Sequence, residues 1–500
     1  MKQNLRNLCY TIIFAFLFWS LFYVYQPVNS ATVNQPQARH VIERLSFGIT
    51  PLQTAQLSKN ANLDSYIEAQ LNPLSIEESV DLTAQLAKFD TLYEDSISLY
   101  LTFQKYNDRV KGKNASLSIE EKEELEQKKK EYKRKIVRQA KQARLVRAIA
   151  STRQLQEIMT NFWLDHFSVF GFKKIIPFWL ADYEAELRSN ALGSFSDLLS
   201  VTAHHPAMLV YLDNDLNAIP KNESKKSNGE GVNENYAREL MELHTLGVDG
   251  GYTQQDVEAL ARILTGWGVD YDPTLANVNN FHFYEQRHDF SDKIFLGQNI
   301  AGSGIAEGEE ALKILANHPA TARFISYKLA QYFVADSPPE SLVKNLTQTF
   351  IDSQGNIKTV LDKLFDSSEF NDPQYYNAKF KTPLQYLVSI VRVSGIEKPN
   401  LSAIEGMLNQ LSMPIYGSQT PDGYQNTEKA WLNPNALLRR LSFVTSIAKG
   451  SLSNQKPLET AVLEKTVGNS LTPKTKAEIA QSPEKLKATL ILGSPEMMYR

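Results

Sequence analysis

The segment from Leu117 to Ala150 contains neither glycine nor proline and is dense in glutamate, lysine, arginine and glutamine. This composition predicts one long helix, because no residue in it interrupts the backbone hydrogen bonds. The acidic residues come early and the basic residues late, which suits the helix dipole. Because the acids offset the bases, the pattern favours a solvated bridging helix over a nucleic-acid-binding helix.

Most of the remaining chain also has apolar residues at helical spacing, including a stripe along residues 155–166. Ser151 with Gln154 predicts a capping box that opens this helix, and Thr253 with Asp256 predicts a second one. We therefore expect an all-α fold, or nearly so, built around a large multi-helix domain. Further helices are expected over residues 307–317, 319–335, 340–353, 357–366, 382–394 and 401–411.

One short region departs from the helical pattern. Residues 280–284 form the best strand candidate, and residues 294–296 could pair with them. We expect a small β-hairpin around residues 280–297. Two long loops are expected from their composition, over residues 217–232 and 413–434. The first of them is predicted to be mobile without ligand and to be cleaved first in limited proteolysis.

The N-terminus has the features of a secretory signal peptide. Lys2 and Arg6 form a small positive region, residues 8–25 carry no charge, and small residues follow at 28–31. We expect residues 1–31 to be removed and the protein to be extracytoplasmic, either periplasmic or secreted. The alternative is an uncleaved membrane anchor, because the apolar run just reaches the length that spans a bilayer.

Cys9, inside the apolar run, is the only cysteine of the sequence. Without it the processed chain has no thiol, which excludes disulfides, a cysteine nucleophile and thiolate metal sites. The sequence carries 53 basic and 56 acidic residues, and removal of residues 1–31 leaves a net charge of about −5. This small net negative charge does not indicate the basic surface that binds nucleic acid.

The chain is expected to divide into four regions. After the leader, residues 36–150 form an N-terminal helical region that includes the long charged helix. Residues 151–450 form the main helical domain, and residues 451–500 form a C-terminal helical tail. The candidate functional residues all fall in the main domain.

The most informative segment for function runs from Asn233 to Gly247 and is predicted to be a helix. On a helix, Asn235, Glu239 and Glu242 share one face at i, i+4 and i+7. Arg238 is one turn from Glu242 and can pair with it. Polar groups on a helix that follows a flexible loop are a common way to build a functional site. The alternative is helix capping together with an exposed ion pair.

Seven of the eight histidines fall in the middle third of the chain. His166 follows Asp165 and lies on the apolar stripe of its helix. It is a candidate functional residue, and the alternative is a hydrogen-bonded histidine of the core. His288 and Asp289 lie beside the candidate hairpin, where the histidine could act as a general base; ordinary turn chemistry is the alternative. If a metal is bound, His166, His244 and His288 are the candidate ligands, although no pair has His-x-x-x-His spacing.

The same segments resemble a bacterial family of unknown function, the domain of unknown function 1800. The most specific stretch is GVNENYARELMELHTLGVDGGYTQQDVEALARILTGW at 231–267. The chain departs from the family at Leu164 and in a longer charged insert at 105–148. The resemblance implies an exported bacterial protein of mostly helical fold. Further matching stretches are ARHVIERLSFGITP (38–51), RQLQEIMTNFWLDHFSVF (153–170), HPAMLVYLDN (205–214), HDFSDKIFLG (288–297), HPATARFISYKLAQYFV (318–334) and WLNPNALLRR (431–440).

Three functional hypotheses follow from these patterns. The first is a hydrolase acting on an envelope or extracellular polymer, in which Glu239 and Glu242 divide the acid and base roles. The second is a non-catalytic binding or assembly module of the envelope, whose polar groups form a buried network. The third and weakest is a haem or metal oxidase, because histidine, arginine and asparagine on helices also build such sites.

The sequence identifies neither a cofactor nor a partner. Contact with a membrane is expected only through an uncleaved N-terminal segment, and nucleic acid is not expected as a partner. If residues 161–166, 233–244 and 288–293 form one site, Asn235, Glu239 and Glu242 should point into a cleft that His166 or His288 also reaches. A buried carboxylate needs a partner, so Glu239 or Glu242 should then find a histidine, an arginine from elsewhere such as Arg147, a metal or water.

Overall fold

The computed structural model describes residues 35–57, 62–111, 117–219, 232–272, 280–451 and 456–500. The predicted leader at 1–31, with its alternative role as an anchor, lies outside these residues, as does most of the predicted loop 217–232. No helix among the described residues combines the length and the apolar character needed to cross a bilayer.

The described chain is mostly helical, with two small antiparallel sheets, which confirms the predicted fold class. The first helices are α1 (Gln35–Leu45), α2 (Pro51–Leu57), α3 (Leu63–Leu71), α4 (Val80–Leu86), α5 (Ser96–Val110), α6 (Ile119–Ala150), α7 (Gln154–His166), α8 (Leu180–Asn190), α9 (Phe195–His204), α10 (Pro206–Tyr211), α11 (Asn235–Glu239), which continues as a π-helix (Leu240–Thr245), and α12 (Gln254–Ile263).

The second half of the chain begins with the strands and continues in helices. The strands are β1 (Trp267–Val269), β2 (Phe281–Phe283), β3 (Lys293–Phe295) and β4 (Gln298–Ile300). The helices are α13 (Ile305–Ala316), α14 (Pro319–Phe333), α15 (Glu340–Asp352), α16 (Ile357–Phe365), α17 (Ser368–Asn371), α18 (Pro383–Val393), α19 (Leu401–Gln410), α20 (Glu428–Trp431), α21 (Pro434–Ala448), α22 (Thr460–Val467), α23 (Pro473–Gln481), α24 (Glu484–Leu492) and α25 (Pro495–Met498). Short 3-10 turns lie at Pro73–Ser75, Asp90–Tyr93, Ile176–Phe178, Asn214–Leu216, Glu285–Arg287, Pro373–Tyr375 and Gly468–Ser470.

The long charged helix is α6. Ser118 and Glu121 form a reciprocal capping box at its start, which satisfies two backbone N–H groups there. Its first turns are mostly exposed, but most of its apolar residues from Ile136 onward are buried, among them Leu145 and Val146. In this second half Lys141 pairs with Glu405 of α19 at 2.7 Å, and the Ile149 carbonyl accepts from Arg392 of α18 at 2.5 Å. The expectation of a solvated bridging helix is therefore wrong for the second half, because neighbouring helices cover it.

The capping box expected at Ser151 does not form. The Ser151 hydroxyl donates to Glu78 at 2.5 Å and accepts from the Arg153 N–H, so it is not available to the helix start. The Gln154 side chain instead donates to the Ser151 carbonyl at 2.9 Å and accepts from the Phe47 N–H at 3.0 Å. By contrast, the capping box of Thr253 and Asp256 is present at the start of α12.

The strands pair differently from the expected hairpin. β2 pairs with β1, and β3 pairs with β4, both antiparallel. Leu296 and Gly297 both have positive φ, at 49° and 74°, so a two-residue turn of the kind that favours tight hairpins joins β3 to β4. Because of this turn, β3 pairs with β4, its neighbour in sequence, and not with β2 as expected. β2 pairs with β1 instead.

A contiguous core of buried apolar side chains runs through the described chain. Helix α7 lies in it, with Leu155, Ile158 and Trp163 fully buried. The π-helix packs against α13 and α14. This packing brings the C-terminal end of α7 next to the π-helix and α14, where the candidate functional residues lie.

Candidate functional site

The predicted helix 233–247 is not a continuous α-helix. After Glu239 the backbone changes to a π-helix, and the Thr245 hydroxyl donates to the Leu240 carbonyl five residues earlier at 2.6 Å. A π-turn contains more residues than an α-turn, so the expected i, i+4, i+7 face of Asn235, Glu239 and Glu242 is not maintained. Irregularities of this kind are frequent at functional sites.

His166, at the end of α7, joins three elements. Its Nε2–H donates to the His244 carbonyl in the π-helix at 3.0 Å, and its Nδ1 accepts from Lys328 of α14 at 2.8 Å. Burial lowers the pKa of His166 well below its ordinary value, and the nearby Lys328 charge lowers it further. The ring is therefore neutral, with its proton on Nε2.

Asp165 and Lys328 are partly exposed beside this histidine. Burial raises the pKa of Asp165 to about 7, although the positive charges of Arg144 and Lys328 oppose the shift. Burial also lowers the pKa of Lys328 to about 8, against the negative charges of Asp165 and Asp422. We call Asp165, His166 and Lys328 the Lys328 cluster. Asp165 and Lys328 thus titrate near neutral pH, as is common for catalytic acids and bases.

Asp165 is held in place from two sides. Arg144 donates to Asn161 Oδ1 at 2.7 Å, and the Asn161 amide lies 3.4 Å from Asp165 Oδ2. On the other side Gly423 has a φ of 68°, and a Cβ at this position would lie 2.0 Å from the Asp165 carbonyl oxygen. Only glycine allows this approach, which sets exposed Asp422 and partly exposed Tyr424 beside the cluster.

Glu239 and Glu242 are both partly exposed. Burial raises the pKa of Glu239, and the negative charges of Glu242 and Asp422 raise it further. Since Asp422 also interacts electrostatically with Lys328, this one carboxylate connects Glu239 to the Lys328 cluster. The Tyr252 hydroxyl lies 3.4 Å from Glu242 Oε2. Residues 161–166 and 233–244 thus lie together, because His166 bonds to the His244 carbonyl. The convergence hypothesis also requires residues 288–293, whose side chains His288 and Asp289 have other partners.

Two other residues of the predicted site have different partners. Arg238 pairs with Glu234 at 2.9 Å and also donates to Gln254, so the expected pair with Glu242 is wrong. Asn235 is exposed, and its amide donates to the Leu212 carbonyl at 3.1 Å. Both side chains therefore fix local loops and helix ends.

His288 and Asp289 belong to a second network. The His288 ring donates from Nδ1 to the Thr265 carbonyl at 2.8 Å and from Nε2 to Glu307 at 2.8 Å. Lys293 lies 2.5 Å from the other oxygen of Glu307. We call His288, Lys293 and Glu307 the buried triad, since each side chain is at most 3% exposed. Asp289 lies at its edge and pairs with Arg262 at 3.1 Å.

The candidate metal ligands are divided between these networks. His166 and His244 are neighbours, with ring centroids 6.1 Å apart, whereas His288 is bound to Thr265 and Glu307. Both ring nitrogens of His166 and of His288 already have protein partners. Within the described ranges, no three histidine, cysteine, aspartate or glutamate side chains are arranged to hold a metal ion.

Lys328, Asp422 and Tyr424 are parts of the site that were not predicted from the sequence. Lys328 carries a usable signal, because it is the one lysine of α14 and lies at helical spacing from the apolar residues Phe324 and Ile325. The loop residues carry no such signal, since only the fold brings residues 422–424 against α7.

The fold and the site define a helical protein with a cluster of ionisable groups at the meeting point of α7, the π-helix and α14. The chain belongs to the family described as Protein of unknown function (DUF1800), whose model matches residues 40–499. This match confirms the resemblance seen in the sequence. Comparison with curated proteins and with solved structures gives no significant match.

Proposed function

We propose that this protein is an exported hydrolase that cleaves a polysaccharide of the bacterial envelope or its surroundings by acid–base catalysis. The observation that carries the proposal is the Lys328 cluster, where Asp165 and Lys328 are partly exposed and titrate at about 7 and about 8. Proton transfer is most effective from groups whose pKa lies near the working pH. Export is proposed from the N-terminal sequence, and it places the substrate outside the cytoplasm.

The proposed reaction needs a general acid, which is Asp165, and a general base, which is a carboxylate beside the Lys328 cluster. In the proposed reaction, protonated Asp165 donates its proton to the glycosidic oxygen as the bond from that oxygen to the sugar carbon breaks. The Glu239 carboxylate takes a proton from water, whose oxygen forms the new bond to the same carbon. Proton exchange with solvent then restores both groups, and Lys328 beside Asp165 can relay that proton.

Aromatic side chains next to the carboxylates favour a sugar polymer as the substrate. Tyr252 lies against Glu242, and the Tyr424 backbone N–H binds the Asp165 carboxyl. Both rings are partly exposed, and amphipathic aromatic rings of this kind pack against sugar faces. An open, partly exposed arrangement also suits a long polymer that passes across the surface.

The test is the release of reducing ends from a panel of envelope and extracellular polysaccharides by the purified full-length chain. Asp165→Asn and Glu239→Gln should each lower the rate by about 100-fold or more, because each removes a proton-transfer group. The melting temperature of neither variant should fall below that of the wild type. Glu258→Gln is the matched control, since Glu258 is an exposed carboxylate on α12.

Two results would overturn the proposal. One is a rate that is unchanged in both variants, and the other is a rate that falls only in step with the melting temperature. Binding of a polysaccharide by the wild type without any release of reducing ends would instead identify a non-catalytic binding module.

A further inference from the structure

A second candidate site lies in a cavity of about 450 Å³ that none of the catalytic candidates lines. Helix α1, the segment after α17, helix α22 and the end of the sequence form its walls. Lys465 and Asn377 are exposed at its rim, whereas Arg500 and His40 are buried in its wall. The charged and aromatic lining residues are Arg39, His40, Glu43, Tyr376, Lys465 and Arg500.

Buried positive charge exceeds buried negative charge around this cavity. Arg39 and Arg500 line it, whereas Arg44, Lys379 and Lys381 do not line it but interact with residues that do. Arg44, Lys379, Lys381 and Arg500 are each at most 2% exposed, and partly buried Arg39 adds a fifth cation. The opposing carboxylates in contact with them are Glu43, which meets Arg39 at 3.2 Å and Lys381 at 3.3 Å, and Asp336, which pairs with Lys379. A main-chain carboxylate at Arg500 would still leave the cations in excess.

Buried donors of Arg500, which lines the cavity, and of Arg44, which does not, lack a protein partner among the described residues. Arg500 donates from Nη2 to the Tyr332 carbonyl at 3.1 Å, but its Nε and Nη1 have no hydrogen-bond partner. Arg44 donates from Nη2 to the Tyr375 carbonyl at 2.7 Å, and its Nε and Nη1 are also unpartnered. Unsatisfied buried donors, and above all cationic ones, are costly. An anion in the cavity would accept hydrogen bonds from the unpartnered donors of Arg500. It would also reduce the electrostatic repulsion between Arg500 and Arg44.

His40 adds an acceptor to the same wall. Its Nε2–H donates to the Phe370 carbonyl at 2.9 Å, so its Nδ1 carries a lone pair, and this nitrogen is buried without a partner. The ring stacks on Tyr376 with centroids 4.4 Å apart, which fixes its orientation. A ligand hydroxyl could donate to this nitrogen.

We propose that this cavity binds the phosphate group of a small hydroxylated phosphate compound. A phosphate dianion offsets more of the excess positive charge than a carboxylate does, and arginine is the side chain best suited to phosphate oxygens. The cavity volume lies within the range of small-molecule sites and exceeds what a lone phosphate needs. The organic part would place a hydroxyl at His40.

Isothermal titration calorimetry on the full-length chain tests this proposal with three probes: inorganic phosphate, glycerol 3-phosphate and acetate. Both phosphate compounds should bind, and acetate should not. Tighter binding of glycerol 3-phosphate identifies an organic phosphate as the ligand, whereas equal binding identifies free phosphate. Absence of binding by both phosphate compounds, or acetate binding as tight as phosphate binding, overturns the proposal.

Variants then locate the site. Arg500→Gln should weaken phosphate binding by about tenfold or more, because it removes charge-assisted donors. Lys465→Ala at the exposed rim should weaken binding by about threefold without affecting folding, and it keeps the test decisive if the Arg500 variant does not fold. Arg323→Gln is the matched control, since Arg323 is an exposed arginine paired only at the surface with Glu340. Equal affinity in the wild type and Lys465→Ala would place the bound phosphate elsewhere and reject the site.

Discussion

The buried triad and the Lys328 cluster each combine a histidine, a lysine and a carboxylate, but they differ in contact with solvent. In the triad, Glu307 lies between His288 and Lys293, and all three side chains are almost completely enclosed. In the Lys328 cluster, Lys328 donates to a neutral histidine, and its nearest carboxylate, Asp165, is partly exposed and has a raised pKa.

Under the proposed function, this difference separates a structural use of these residue types from a catalytic one. A fully enclosed carboxylate between two donors holds three segments of chain together and cannot reach a substrate. A partly exposed aspartate and lysine whose pKa values are shifted toward neutrality can exchange protons with a substrate. His288, which the sequence suggests as a general base, therefore belongs to the structural network.

The largest expected effect is on stability, from Glu307→Gln in the triad. Removing the charge leaves Lys293 buried without a counter-ion and replaces a carboxylate acceptor of His288 by an amide, so the free energy of unfolding should fall by about 3–5 kcal/mol. Urea denaturation measures this change. Glu309→Gln on the same helix is the control, because Glu309 is 49% exposed and pairs with His204 at the surface. Equal losses in the two variants would show that the triad has no special structural role.

The second prediction concerns the pH dependence of stability in Asp165→Asn. The folded pKa of Asp165, about 7, lies above its ordinary value of 3.8. Between these values the folded protein retains a proton that the unfolded chain has lost, so ionisation of Asp165 lowers stability as pH rises through this window. The variant lacks this loss. Its free energy of unfolding relative to that of the wild type should therefore increase by about 2 kcal/mol between pH 4 and pH 7. This value is about half of the free energy that the whole pKa shift would give, because Asp165 is partly exposed and solvent screens its charge.

Denaturation curves of both proteins across this pH range provide the measurement. A difference that does not change with pH would mean that Asp165 has an ordinary carboxyl pKa. The Lys328 cluster would then lose the property that separates it from the triad.

The third prediction compares the two lysines by chemical labelling at pH 8. Burial lowers the pKa of Lys328 to about 8, so a large fraction of this partly exposed amine is uncharged and nucleophilic. Lys328 should react with acetic anhydride at least about tenfold faster than exposed Lys429, whereas Lys293 should be protected by its pair with Glu307. Peptide mass spectrometry gives the three rates. Faster labelling of Lys293 than of Lys328 would reverse the assignment of the two networks.

The smallest expected effect is at the edge of the triad. Arg262→Gln removes the pair between Arg262, which is 53% exposed, and Asp289. Exposed pairs contribute little, so the free energy of unfolding should fall by less than about 1 kcal/mol. A loss as large as that of Glu307→Gln would extend the triad to Asp289.

The features that could be predicted from the sequence by itself depend on interactions between residues close together in the chain. The span of α6, the cap at Thr253 and most helix bounds of the second half follow from hydrogen bonds and side-chain spacings within a few residues. The helical fold class and the family resemblance rest on the same short-range patterns. His166 and the segment 233–247 could also be selected as candidates in this way, because unusual polar residues stand out on an apolar stripe.

The tertiary structure alone decided which of these residues act together. The π-helix, the pairing of β2 with β1, and the approach of Gly423 to Asp165 each depend on a segment distant in sequence or on local packing that spacing does not encode. The pKa values of Asp165 and Lys328 likewise depend on burial by several helices. Burial and electrostatic contact are properties of the packed chain, and a sequence pattern cannot specify which distant side chains supply them.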